Sequence, residues 1–166
     1  MANIGIYYGS TTGNTQDLAE RLAKALNVAS SDVYDIGSAK ADFGKYDVIL
    51  FGSSTLGYGD LQDDWESFID DVKNADLSGK KVALFGCGDS SSYSDTFGDA
   101  LGKIYDVVKN TGARLIGKVS VEGYTFDSSE AVVDGQFVGL LIDEDNESNL
   151  TDQRVALWLE DLKKEI

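Results

Sequence analysis

The chain has no histidine, no proline and a single cysteine among its 166 residues. The absence of histidine removes the commonest general base and the commonest transition-metal ligand, and the absence of proline excludes a cis-proline turn. One cysteine, Cys87, excludes an internal disulfide and favours a reducing compartment, so we expect a cytoplasmic protein. There is also no apolar run long enough to span a membrane and no pattern of a signal peptide at the N-terminus.

Positive charge is scarce as well. The 14 Lys and Arg residues face 29 Asp and Glu residues, which gives a formal net charge of −15. Residues 46–72, 82–102 and 119–153 contain no Lys or Arg at all. This charge argues against nucleic acids and anionic membranes as partners. Two interpretations stay open: an ordinary solvated acidic surface, or an acidic face that meets a basic partner.

What the chain does contain is a regular alternation of short β-rich runs with longer amphipathic stretches. The predicted strands are residues 3–8, 32–36, 46–53, 80–87, 113–121 and 137–143, and the predicted helices are residues 14–27, 63–74, 95–111 and 152–164. Runs that are apolar on consecutive residues, such as residues 48–51, are typical of parallel strands covered on both faces. We therefore predict a single domain, residues 1–166, with an α/β fold: a three-layer, doubly wound parallel sheet with helices on both sides.

The most informative motif follows the first predicted strand and opens the first predicted helix. Residues 9–15 hold four hydroxyls, two glycines and an amide, with no basic residue. Free backbone N–H groups and the helix dipole make such a loop an anion site. Asn14 stands where a Walker A loop needs lysine, so we predict one phosphate held by amides and hydroxyls. The alternative is a plain tight turn rich in helix-capping residues.

Two further loops leave the carboxyl ends of predicted strands, where ligands of doubly wound sheets bind. They are residues 54–62 and 88–94, and each carries a tyrosine, Tyr58 or Tyr93, among glycines and serines. Together these tyrosines suggest a flat ring system as the ligand, although an exposed loop tyrosine can be incidental. Cys87 ends a buried strand, and we interpret it as a core or pocket-lining residue, not a nucleophile.

At this point the motifs resemble a known family over essentially the whole chain. Residues 10–15 are similar to the phosphate loop of flavodoxins, which are small FMN-binding electron carriers. Residues 55–65 resemble their first flavin loop, and residues 86–89 with Tyr93 resemble their second. Gly123-Tyr124 and residues 136–140 and 143–146 resemble the insertion in the last strand of the long-chain subfamily.

The resemblance implies a five-stranded sheet of order 2-1-3-4-5, the order that flavodoxin itself illustrates, with the last strand interrupted by the insertion. It implies non-covalently bound FMN, a low-potential one-electron carrier that is not an enzyme, and a monomer. Partners would be basic redox proteins, such as a flavodoxin or ferredoxin reductase or an iron–sulfur oxidoreductase. The cofactor-binding residues that it implies are Ser10, Thr11, Thr12, Gly13, Asn14, Thr15, Ser54, Thr55, Leu56, Gly57, Tyr58, Gly59, Cys87, Gly88, Asp89, Tyr93, Asp95 and Asp145.

The resemblance also implies individual roles. Residues 10–15 hold the phosphate, and Tyr93 stacks on one face of the isoalloxazine ring. Asp89 and the backbone of Gly88 lie at the pyrimidine end, and Asp145 approaches the ribityl chain. Leu56 stands where many members of the family carry a tryptophan.

Two other functions remain open. A flavodoxin-like FMN-dependent quinone or NADPH reductase would share the fold but needs a substrate pocket and commonly a nicotinamide site. The chain shows no second nucleotide motif. A structural or adaptor domain would keep the fold without the cofactor.

Overall fold

A computed structural model describes residues 3–11, 13–39, 42–56 and 59–166, with the side chain of Leu56 left out. Within these ranges the strands are β1 (Ile4–Gly9), β2 (Val33–Asp35), β3 (Val48–Leu56), β4 (Asp60–Leu61), β5 (Lys81–Cys87), β6 (Arg114–Ile116), β7 (Val119–Ser120), β8 (Val132–Val133), β9 (Gln136–Phe137) and β10 (Gly139–Ile142). The α-helices are α1 (Asn14–Ala25), α2 (Asp63–Lys73), α3 (Asp99–Val108) and α4 (Thr151–Glu165).

The main sheet confirms the predicted fold class. Its parallel core runs in the order β2-β1-β3-β5, and both β6 and β10 pair with the outer side of β5. β6 pairs with the beginning of β5, where Arg114 lies opposite Lys81, and β10 pairs with its end, where Ile142 lies opposite Cys87. β6 and β10 therefore together form the fifth strand of the parallel sheet, and residues 117–138 interrupt it, as predicted.

Within that insertion, β7, β8 and β9 form a small antiparallel sheet that the sequence did not predict. The predicted strand over residues 113–121 is divided into β6 and β7 at Gly117, whose φ is +77°. A left-handed residue turns the chain out of the extended conformation and ends the pairing with β5. Similarly, α3 begins at Asp99, later than predicted, because Gly98 at its N-cap has a φ of +66°.

The central strands are buried on both faces, as their apolar runs predicted. Ile49 and Phe51 of β3 belong to the core shared with α2 and α3, whereas Val48 and Leu50 belong to the core shared with α1 and α4. Successive side chains of a strand point to opposite faces, so a strand between two helix layers needs apolar residues at every position.

The register of the sheet brings the strand ends into one row. Gly9 lies opposite Ser53, Ser54 lies opposite Cys87, and Cys87 lies opposite Ile142. The loops that follow these residues therefore leave from the same side. We call this row, with the loops that follow β1, β3, β5 and β10, the carboxyl edge.

Candidate functional site

The loop after β1 forms a cradle of backbone amides at the start of α1. Gly13 is the N-cap of α1, with a φ of +97° and no side chain to accept from the first amides of the helix. The amide of Gly13 donates to Ser10 Oγ at 3.1 Å, which closes the loop. The exposed Thr11 and the half-buried Asn14 complete its described part, and Thr12 lies outside the described residues. These amides and the helix dipole favour an anion at this point.

Among the described residues, three buried hydroxyls have no hydrogen-bond partner. They are Thr15 Oγ1 in the first turn of α1, Ser54 Oγ in β3 and Thr96 Oγ1 in the 3₁₀ turn ahead of α3. Buried polar atoms are nearly always paired, because leaving one unpaired costs about 1–3 kcal/mol. Unpaired donors beside an amide cradle are the groups that an oxyanion ligand would satisfy, so the residues present fit a phosphate.

Cys87 lies in the core close to this cradle. Burial raises the pKa of its thiol to about 12, while the hydroxyl of Thr15 acts in the opposite direction without forming a hydrogen bond of normal geometry. The thiolate is therefore not populated near neutral pH. The interpretation of Cys87 as a core or pocket-lining residue is confirmed by its burial.

β3 continues beyond the sheet into a hairpin with β4, in which Thr55 lies opposite Leu61. Thr55 Oγ1 accepts a hydrogen bond of 3.2 Å from the amide of Ala100, which fastens the hairpin to the first turn of α3. Gly59 has a φ of +94°, and a Cβ there would lie 2.6 Å from Asp99 Oδ2. Gly57 and Tyr58, which come between β3 and β4 in the sequence, lie outside the described residues.

Asp99 is the carboxylate against which that hairpin rests. Its side chain is buried, and Oδ1 accepts a hydrogen bond of 2.7 Å from the amide of Glu130 in the insertion. Burial raises the pKa of the Asp99 carboxyl, and the hydrogen bond from Glu130 only partly offsets that effect. Sequence reasoning missed this residue, because its contacts come from segments distant in the chain.

The loop after β5 is folded around Asp89. The amide of Gly88 donates to the carbonyl of Ile142 at 3.0 Å, and Asp89 Oδ1 accepts from the amides of Ser91 and Ser92 at 3.1 and 2.9 Å. Burial opposes ionisation of Asp89, but hydrogen bonds from Ser92 and other donors outweigh it, so the pKa of the carboxyl is lowered. The side chain of Tyr93 is 39% exposed at the end of this loop.

A fourth loop, after β10, completes the carboxyl edge and is tied to the third. Asp143 is fully buried and accepts hydrogen bonds from the amide and hydroxyl of Ser90 and from the amide of Asn146. The side-chain Nδ2 of Asn146 bridges Asp143 and Asp89, at 2.7 Å from Asp89 Oδ1. We call this set of hydrogen bonds among Asp89, Ser90, Asp143 and Asn146 the clamp. The sequence analysis placed residues 143–146 in the insertion and did not predict the clamp. The polar residue directly after an apolar strand was the available signal.

Asp145 and Asp95 are exposed residues at this edge. Asp145 follows the clamp, and partial burial together with the carboxylates of Asp89, Asp143 and Glu144 raises its pKa. Asp95 lies in a short 3₁₀ turn, Ser94–Thr96, ahead of α3. The predicted site residues that the structure describes thus lie in the four loops of this edge or in the strand ends and first helical turn next to them.

Gln62 is a further polar residue that the sequence did not single out. It is buried at the N-cap of α2, where Oε1 accepts from the amide of Asp64 at 3.0 Å. Its Nε2 donates to Thr11 Oγ1 at 3.2 Å, so it links the hairpin after β3 to the loop after β1. Its place before Asp63 and Asp64, which open α2 as predicted, was the signal for a cap.

Two clefts lie away from this edge. One of about 690 Å³ lies beside Ile4, Lys45 and Ile166, and one of about 470 Å³ lies between the insertion and α4. None of the unpaired buried hydroxyls lines either cleft. The unpaired donors therefore point to the carboxyl edge and not to either cleft.

The described residues include no group of three or more His, Cys, Asp or Glu side chains arranged to hold a metal. Within the same ranges, no helix has the length and apolar content needed to cross a membrane.

Comparison with known proteins gives consistent results. The family model for flavodoxin matches residues 6–158. The chain is 43% identical to flavodoxin 1 of Escherichia coli K12 over 168 residues, covering 100% of this chain and 96% of the relative. It is 44% identical to a flavodoxin of Synechococcus elongatus, covering 99% and 98%. The crystal structure of Fusobacterium nucleatum flavodoxin bound to flavin mononucleotide superposes with a TM-score of 0.92 at 26% identity, covering 100% and 99%.

Proposed function

Since this chain belongs to the flavodoxin family, we propose that it carries single electrons on non-covalently bound FMN at the carboxyl edge of its sheet. The observation that carries the proposal is the buried, unpaired hydroxyl of Thr15 beside the uncapped first amides of α1. A phosphate group would accept hydrogen bonds from both. FMN supplies reversible one-electron chemistry when it is bound, and the protein provides its binding, orientation and electrostatic surroundings.

The residues of the four loops have distinct tasks in this proposal. Residues 10–15 hold the phosphate without a cation, and Tyr93 covers one face of the ring. Asp89 and the backbone of Gly88 lie at its pyrimidine end, held there by the clamp through Asn146. The remaining proposed contacts come from Ser54, Thr55, Leu56, Gly57, Tyr58, Gly59, Cys87, Asp95 and Asp145.

The charge of the edge makes the carrier a low-potential one. The acids at the carboxyl edge include Asp60, Asp63, Asp64, Asp89, Asp95, Asp143, Glu144 and Asp145, all within segments that contain no Lys or Arg. Each carboxylate about 10 Å from an added negative charge costs roughly 0.4–0.8 kcal/mol at an effective dielectric of ~40–80. The repulsion from several carboxylates together disfavours the fully reduced cofactor, which carries the added negative charge.

We further assign the chain to the long-chain subfamily, on the basis of the insertion that interrupts the fifth strand. A cytoplasmic location is supported by the single buried cysteine. The partners that we propose are basic redox proteins, such as a flavodoxin or ferredoxin reductase or an iron–sulfur oxidoreductase. Such acidic carriers meet their partners through short-lived encounters that depend on ionic strength. We also expect the carrier to act as a monomer.

A visible spectrum recorded during dithionite titration of the FMN-loaded protein tests this function. We expect a flavin spectrum that is reduced in two separate one-electron steps, with no steady oxidation of NADPH by the protein alone. Steady NADPH oxidation would favour a reductase instead, and none of the relatives named above is described as one. Failure to take up added FMN would favour a domain that only retains the fold.

A further inference from the structure

We propose that Gln62 is a positioning residue that turns the hydroxyl of Thr11 into a hydrogen-bond donor toward the phosphate of the bound cofactor. This inference rests on the proposed function. It concerns how a loop without Lys or Arg directs its donors at an anion.

The side-chain amide of Gln62 is enclosed and almost fully paired. Only 2% of the residue is exposed. Its Nε2 donates to Thr11 Oγ1 at 3.2 Å and to Asp64 Oδ2 at 3.0 Å, and its Oε1 accepts from the amide of Asp64 at 3.0 Å. Both N–H groups of the amide are therefore used, one on each acceptor.

The contacts with Asp64 determine which way round this amide lies. Exchanging its oxygen and nitrogen would set Oε1 against the carboxylate of Asp64 and the NH₂ group against the backbone N–H of Asp64. Both contacts would be repulsive, so the nitrogen must face Thr11. Asp64 thus fixes the direction of a hydrogen bond at the neighbouring loop.

Packing holds the amide in place against the end of β1. A Cβ at Gly9 would lie 2.3 Å from Gln62 Oε1, so only glycine at this position leaves room for the side chain. The backbone amide of Gln62 also faces Ser53 Oγ at 3.4 Å. The residue is therefore anchored to the ends of β1 and β3 and to the start of α2.

The consequence concerns the hydroxyl hydrogen of Thr11. Because Nε2 of Gln62 donates to Thr11 Oγ1, that oxygen acts as the acceptor, and its own hydrogen is left for another acceptor. Thr11 is an exposed residue of the phosphate loop, and the hydrogen bond from Gln62 orients its hydroxyl. A donor already turned outward binds an anion more tightly than one that must first reorganise.

Binding of FMN and of riboflavin to the apoprotein tests the inference, since riboflavin lacks the phosphate. The variants are Gln62→Met, which keeps the length of the side chain without its donors, Thr11→Val, and the two combined. We expect Gln62→Met to raise the Kd for FMN about tenfold, which corresponds to about 1.4 kcal/mol, and the Kd for riboflavin less than about twofold. In the Thr11→Val background, Gln62→Met should cause little further loss, because both changes remove the same interaction.

Gln136→Met, which alters an exposed glutamine in β9, is the matched control and should change neither Kd. Thermal unfolding of each apoprotein identifies any loss of fold, and the exposed Thr11→Val variant remains informative if Gln62→Met unfolds. The role of Gln62 would be overturned if Gln62→Met weakened the binding of FMN and of riboflavin equally. It would also be overturned if the two substitutions multiplied each other's effect on the Kd for FMN in the double variant. A wild-type protein that binds neither flavin would overturn the proposed function itself.

Discussion

The two ends of the parallel sheet differ in the sign of their charges and in how completely their polar groups are paired. At the carboxyl edge the helices begin, and their first turns carry Asp17, Asp63, Asp64, Asp99 and Asp152. At the opposite end, which we call the amino edge, the helices end, and Lys24, Lys73, Lys163 and Lys164 lie in their last turns. Each sign is the one that the helix dipole favours.

The difference in pairing is more informative than the difference in charge. At the amino edge, Lys80 Nζ donates to the carbonyl of Tyr46 at 2.6 Å, and Lys81 Nζ donates to the carbonyl of Glu165 at 2.7 Å, so the lysines satisfy backbone groups of the protein itself. At the carboxyl edge, Thr15 and Ser54 keep unpaired hydroxyls. Helix dipoles account for the charges but not for the unpaired donors, which are the groups that a bound oxyanion would satisfy.

The largest effect should come from removing the clamp at the carboxyl edge. Asp143→Ala leaves the donors of Ser90 and Asn146 without their buried acceptor, so we expect the free energy of unfolding to fall by about 2–4 kcal/mol. The matched change at the amino edge is Asp47→Ala, since exposed Asp47 also accepts a backbone N–H, from Asn3 at 3.0 Å. It should cost less than about 1 kcal/mol. Urea unfolding of the apoproteins measures both, and equal losses would contradict the comparison.

The next effect concerns association with a basic partner. Neutralising two exposed acids of the carboxyl edge, Asp60→Asn with Asp145→Asn, should slow electron transfer to a basic acceptor protein several-fold at low ionic strength. Lys73→Gln at the amino edge should leave that rate nearly unchanged. Stopped-flow kinetics at several salt concentrations measure this effect, and the rates should converge as salt screens the charges. A similar response to both changes would mean that the acidic edge does not direct the encounter.

A smaller effect is expected on the potential of bound FMN. Asp145→Asn removes one negative charge from the carboxyl edge and should raise the potential for the second electron by about 20–35 mV, taking ~0.4–0.8 kcal/mol per charge and ~59 mV per tenfold change. Lys73→Gln, on the amino edge, should shift it by only a few mV. Redox titration of the two FMN-loaded variants measures the potential for the second electron. An unchanged potential in Asp145→Asn would mean that the charge of Asp145 does not act on the flavin.

The smallest effect is a change in pH dependence. The folded-state pKa of Asp99 is raised by burial, so its contribution to stability is fully present below its ordinary pKa and is lost as pH rises through the raised value. Asp99→Asn keeps an acceptor for the amide of Glu130 and should therefore be more stable than the wild type near pH 7, with the advantage shrinking on acidification. Unfolding measured across pH 4–7 checks this expectation.

Asp76, near the amino edge, should behave in the opposite way. Hydrogen bonds from Ser78 lower the pKa of its carboxyl, so its contribution is present above its ordinary pKa and is lost as pH falls through the lowered value. Asp76→Asn should therefore lose stability at neutral pH and approach the wild type in acid. If both substitutions changed the stability at neutral pH in the same direction, burial would not distinguish the carboxylates of the two edges.

Much of the fold and part of the site could be predicted from local patterns. The apolar runs of β3 and β5 predicted a sheet covered on both faces, and the hydroxyl-rich loop before α1 predicted an anion cradle. The small antiparallel sheet of the insertion was not predicted, because two-residue strands such as β8 carry no periodicity that could identify them. Which of the predicted site residues contact FMN stays a prediction, and Thr12, Gly57 and Tyr58 also lie outside the described residues.

By itself, the sequence determined the alternation of strands and helices, the acidic charge and the composition of the phosphate loop, because each depends on neighbouring residues along the chain. Only the tertiary structure decided which polar groups pair across the carboxyl edge. The amide of Gln62 reaches Thr11, and Asn146 joins Asp143 to Asp89, because parallel pairing aligns the ends of β1, β3, β5 and β10. Hydrogen bonds between residues more than fifty positions apart depend on that register, which no local pattern encodes.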